Sequence, residues 1–109
     1  MEAWRVEVLN EIVRAEIAAL PEDIRAKLAH IVEMMVAAGP ERMREPHVRP
    51  LRDKLWEMRM SGRDGIARAI YVAARGRRIV ILHAFVKKTQ KTPPQAIRLA
   101  LKRAKELEP

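Results

Sequence analysis

Residues 83–97, HAFVKKTQKTPPQAI, join what reads as the last strand of the chain to what reads as its last helix. Upstream, RRIVILHAFV (77–86) is apolar at successive positions, as a central strand covered on both faces would be. The run then breaks into Lys87, Lys88 and Lys91. Thr92 as N-cap, Pro93 at the first helical position and Gln95 three residues after Thr92 form a capping-box pattern. The helix predicted from there carries Ile97, Leu101 and Ala104 on one side and Arg98, Lys102 and Lys105 on the wet side. The lysines admit two readings. Three ammoniums beside a helix N-terminus make a phosphate cradle; lysines at a strand end also act as gatekeepers that stop a sticky strand from pairing onward.

Outward from this junction the rest of the architecture follows. KLWEMRMS (54–61) alternates, with Trp56, Met58 and Met60 on one side and Leu55, Glu57 and Arg59 on the other. GIARAIYVAA (65–74) is a further strand, entered through the glycine turn SGRDG. Near the start, AWRVEVLN (3–10) alternates as a half-buried strand. Two helices follow it. The first carries Ile12, Val13, Ile17 and Leu20; the second, beginning at Pro21 and ending at Gly39 and Pro40, carries Ile24, Leu28, Ile31, Val32 and Met35. Residues 40–53, with three prolines and no period, read as a loop with extended pieces. The expectation is one α+β domain over residues 1–109: a strand, a helix hairpin, three antiparallel strands and a C-terminal helix, with the helices packed on one sheet face.

Composition narrows the function classes. The chain of 109 residues has no cysteine, which excludes disulfide scaffolds, thiolate nucleophiles and Cys-ligated zinc. No apolar run reaches the length of a membrane span and no signal-peptide pattern opens the chain, so a cytoplasmic protein without membrane contact is expected. The charge is uneven. Residues 1–41 hold 8 acidic and 4 basic side chains, whereas residues 42–109 hold 6 acidic and 18 basic, giving the overall +8. Positive charge concentrated in one half points to a polyanionic partner, RNA or DNA before membrane, against the alternative of solvated basic faces.

Individual residues carry the same choice. Arg68 lies inside an apolar strand, where a charge must be solvated or paired; an ion pair with Glu57 on the neighbouring strand is the structural alternative to a functional role. Arg59 shares the face of Glu57. His30 reads as a partly buried helix residue and His83 as a satisfied core histidine, while His47, beside Arg49 in the basic loop, is the histidine to watch. No metal-ligand spacing, Ser/His/Asp set or glycine-rich phosphate loop is present, and no cofactor is expected.

The ordered set HVRPL, LWEMRM, GRDGIARAIY and ILHAFVKKTQKTP resembles the HigB-like, phage-derived branch of the RelE/ParE toxin superfamily over nearly the whole chain. The most specific part is Phe85 to Pro93. The resemblance implies the toxin of a type II toxin–antitoxin system: a ribosome-dependent mRNA endoribonuclease in which the RNA 2′-hydroxyl attacks the adjacent phosphate and the protein orients and stabilises. It implies catalytic positions at Arg68, Lys87, Lys88, Arg49 and Arg59, RNA contacts at Lys91, His47 and Arg63, and a proton acceptor at Glu57 or His47. It implies mRNA, the ribosome and an antitoxin, of helix-turn-helix type, as partners. Several relatives carry an aromatic or histidine near the C-terminus; this chain has none after Phe85. Two other classes share the residues: a ParE-like inhibitor of DNA gyrase, without catalysis, and a nucleic-acid-binding domain without toxicity.

Overall fold

The computed structural model describes residues 3–89 and 91–107. In chain order the elements are β1 (Arg5–Val8), α1 (Glu11–Ala18), α2 (Glu22–Ala38), β2 (Val48–Pro50), β3 (Trp56–Gly62), β4 (Gly65–Ala74), β5 (Arg78–Lys87) and α3 (Pro94–Ala104), with single 3₁₀ turns at Pro40–Arg42 and Lys105–Leu107. The expected order of strand, helix hairpin, three strands and helix is present, with β2 formed from one of the extended pieces in the proline-rich loop. The five strands make one sheet in the order β1-β5-β4-β3-β2. β1 runs parallel to β5, and the other pairings are antiparallel.

Local chemistry sets the boundaries. Asn10 caps α1 by accepting the Val13 N–H at 3.1 Å. Gly39, at φ 88°, closes α2 with its N–H on the Met35 carbonyl at 2.8 Å, a left-handed position a side chain would strain. The hairpin buries Val13, Leu20, Ile24, Leu28, Ile31 and Met35 against Met58, Met60, Ala67, Ala69, Tyr71, Ile79, Ile81 and Ala84.

Two expectations change. First, α3 does not join the hairpin's face: Ala96 and Ala100 pack with Leu55, Ile70, Val80 and Leu82 in a separate cluster on the opposite face. The reason is the central strand, which is apolar on both faces and must be covered on both. Second, Thr92 is not the cap. Pro93 occupies the N-cap position and makes no side-chain cap bond, and the helix starts at Pro94. The Thr92 hydroxyl, buried, donates instead to Glu57 Oε1.

Candidate functional site

The site is built by register. β3, β4 and β5 pair so that three rows cross the face opposite the hairpin: Glu57, Ile70, His83; then Arg59, Arg68, Phe85; then Ser61, Ile66, Lys87. Directly opposed residues in antiparallel strands share a face. α3 packs over Ile70, with Phe85 of the next row at the margin of the same cluster.

Lys87 reaches this face because β5 slips. Ile81 pairs with Tyr71 and His83 with Ile70, so Leu82 is an extra residue in β5. Strict alternation would place Ile79, Ile81, His83, Phe85 and Lys87 on one side. The bulge reverses the parity: Ile79, Ile81 and Ala84 face the hairpin, while His83, Phe85 and Lys87 stand over the open face.

At its centre lies the Glu57 carboxylate, 1% exposed. Arg59 Nη1 donates to Glu57 Oε2 at 2.7 Å, and Arg68 Nε stands 3.5 Å from the same oxygen. Arg68 is 2% exposed and its Nη1 donates to the Ala67 carbonyl at 2.9 Å. Thr92 ties the segment before α3 to the other carboxylate oxygen. Lys87, 7% exposed, completes the group. Burial, with Arg68 second, pushes its ammonium down from 10.5 to about 8, against the opposing pull of Glu57. Arg68 is likewise lowered, by burial first and by Arg59 next. An amine at about 8 exchanges its proton near neutral pH, which an ordinary lysine does not.

Two clefts flank the cluster, with Arg59 in the wall of both. One, of about 480 Å³, opens between α2, the loop before β2 and the end of β3, and also takes in Arg68, Lys27, His30 and His47. The other, of about 320 Å³, lies toward α3 and is lined by Arg49, Arg52, Glu57, Lys91 and Thr92 among others.

Of the residues singled out from the sequence, the structure thus gathers Arg59, Arg68, Lys87 and Glu57 into one cluster, with His47 and Lys91 in the flanking clefts. Arg49 is exposed and paired with Glu45 at 3.3 Å. Lys88 is exposed. Arg63 lines neither cleft; it sits on the β3–β4 turn, its backbone N–H held by Asp23 Oδ2 at 2.7 Å. His30 is exposed on α2, not partly buried. His83 is half-buried, with Nδ1 2.9 Å from Glu16 Oε1 and its ring stacked on Phe85 at 4.7 Å. Sequence reasoning missed Lys27 and the role of Thr92. Lys27 offered no signal, being one charge on a helix's polar side; Thr92 fitted a cap so well that its alternative partner was not sought. Among the described residues no group of His, Asp or Glu could hold a metal ion, and no helix is long and apolar enough to cross a membrane.

The family model described as "Phage derived protein Gp49-like (DUF891)" matches residues 15–105. Among solved structures, the chain is similar to the free state of an E. coli toxin RelE mutant in which two arginines are replaced by alanine. Identity is 16%, with 94% of this chain and 98% of that chain covered and a TM-score of 0.64, so the two share a fold. No curated protein matches the sequence.

Proposed function

The chain belongs to the phage-derived Gp49-like family, and from that premise we propose that it is the toxin of a type II toxin–antitoxin pair, of the HigB-like branch, and that it cleaves mRNA on the ribosome. The observation that carries this reading is the Arg59–Arg68–Lys87 cluster around Glu57. Buried ion pairs are seldom more stabilising than apolar packing of equal volume, so three cations gathered around one carboxylate make a poor stability device. They make a good phosphate site.

In this mechanism the RNA 2′-oxygen attacks the neighbouring phosphorus to form a 2′,3′-cyclic phosphate, and the 5′-oxygen departs, taking its proton from water. Lys87 in its neutral form takes the 2′ proton. Arg59 and Arg68 neutralise charge on the five-coordinate phosphorus, and removal of one such stabiliser costs about 3 kcal/mol of barrier, roughly 10²-fold in rate. Glu57, expected as a proton acceptor, serves here as the counter-charge that fixes both guanidiniums, since Thr92 and Arg59 engage its two oxygens. Lys88, Lys91 and Arg49 hold flanking phosphates. Arg63, on the far turn, takes no part in the chemistry. The partner that silences the toxin is an antitoxin of helix-turn-helix type whose acidic segment covers the basic face.

Expression in a bacterial host, with mapping of transcript 5′ ends, tests the reading. The expected result is growth arrest with new ends inside translated regions, lost in Arg68→Ala. Intact transcripts at arrest overturn it, and inhibition of DNA supercoiling by the purified protein would transfer the chain to the gyrase-directed class.

A further inference from the structure

The larger cleft has a composition that the reaction itself does not require. Its floor and sides include the apolar Ile31, Met60 and Ile66, and two imidazoles, His30 from α2 and His47 from the loop before β2, stand in its lining. Its cations are Lys27, Arg59 and Arg68, and no carboxylate lines it among the described residues. The cleft exists because β2 pairs with β3 only over Trp56–Met58. The last rung beyond is Arg59 N–H on the His47 carbonyl at 2.8 Å. Past it the outer edge of β3 has no strand partner among the described residues, and α2 leans toward it, with the Lys27 ammonium donating to the Ser61 carbonyl. An ammonium has three donors, so that bond does not exhaust it.

We propose that this cleft is a nucleotide subsite: it takes the base of the nucleotide next to the cleaved phosphate, stacked against His30 and His47, with Lys27 on the next phosphate. The proposal rests on the ribonuclease reading and deepens it. Three features of the cleft fit one occupant. Histidine rings and apolar side chains are stacking partners for unpaired bases, which proteins read in single-stranded RNA. A volume of about 480 Å³ lies within the range of small-ligand sites and holds a base with its ribose. The described lining residues include no carboxylate to repel a phosphodiester, and the shared Arg59 and Arg68 place the base beside the reacting phosphorus. The same geometry makes His30 and His47 specificity-determining, because they touch the base and not the reacting atoms.

The test uses the full-length protein, with the His30 and His47 imidazole NMR signals followed during titration with the four nucleoside 3′-monophosphates and, separately, with inorganic phosphate. Both signals are expected to move with at least one nucleotide, saturating at a Kd that His30→Ala weakens roughly tenfold, while inorganic phosphate moves them much less. Transcript mapping with His30→Ala is expected to show weaker cleavage and a changed base beside the cuts that remain. Signals that no nucleotide moves, or that inorganic phosphate moves equally, overturn the subsite. Neither result touches the ribonuclease reading, which falls only if the unaltered protein leaves transcripts intact; in that event the titration still decides whether the cleft binds nucleotides.

Discussion

Lys87→Arg is the perturbation that separates proton transfer from simple charge at the proposed site. The ammonium at about 8 leaves near one tenth of Lys87 neutral at pH 7, where a lysine at the ordinary 10.5 would be neutral in about three molecules in ten thousand. Burial and Arg68 therefore raise the supply of base about 300-fold. In single-turnover cleavage of a ribosome-bound mRNA, the log of the rate is expected to climb by one per pH unit up to about 8 and then level, because the neutral form is the active one. Arginine keeps the positive charge but does not deprotonate in this range. Lys87→Arg should lose roughly 10²-fold or more at pH 8 and show no break there. Arg68→Met should also shift the break upward, since Arg68 is one of the groups holding Lys87 down. Identical pH profiles for wild type and Lys87→Arg would refute the reasoning, and so would a wild-type rate that falls above pH 8, which would make the ammonium the active form.

The same burial has a stability signature. Lys87 binds its proton less tightly folded than unfolded, so the unfolded chain holds more protons between about 8 and 10.5, and stability should rise with pH through that window. At pH 7 the charged form carries the full cost, at most about 3 kcal/mol by that lowering, and Lys87→Met is expected to raise the urea midpoint while abolishing activity. Thr92→Val should cost about 1 to 2 kcal/mol and reduce cleavage by loosening Glu57, with Thr92→Ser restoring both; a valine variant of unchanged stability and rate would remove Thr92 from the network. Glu16 offers an acid-side check. Burial alone would raise its carboxyl, but hydrogen bonds from Arg103, His83 and the Ala84 N–H outweigh burial and lower it from 4.5. Its contribution is thus present above pH 4.5 and lost as pH falls through the lowered value, so Glu16→Gln should destabilise at pH 7 and the gap to wild type should close at strongly acid pH.

Much of this arrangement was legible in the chain, and the parts that were not have identifiable causes. Alternation in residues 54–61 placed Glu57 and Arg59 on one face opposite Trp56, Met58 and Met60, and the structure keeps that division. The ion pair weighed for Arg68 is present, but so is the cluster, because Glu57 serves two arginines at once. Periodicity could not locate α3, since an amphipathic helix fits either face of a sheet; only the doubly apolar β5 carried that information. Nor could it reveal the cap error. Thr92 followed by Pro93 and Gln95 satisfies the local rule, and a tertiary bond to a residue 35 positions away overrides it.

The bulge at Leu82 shows why the face that carries Lys87 was the hardest feature to read. Counting by twos along β5 assigns Lys87 to the side of Ile79 and Ile81, the side of the helix hairpin and away from Arg59 and Arg68. One inserted residue reverses every assignment after it, and no residue type in ILHAF announces the insertion. Its cause is visible only in three dimensions. β1 supports β5 no further than Ile81, and beyond that point α1 takes over, with Glu16 accepting the Ala84 N–H at 3.0 Å. The strand slips where its parallel neighbour ends and a carboxylate replaces the missing carbonyl. The acidic first half of the chain therefore does more than balance charge: through Glu16 it supports β5 at the bulge that brings Lys87 onto the face of Arg59 and Arg68.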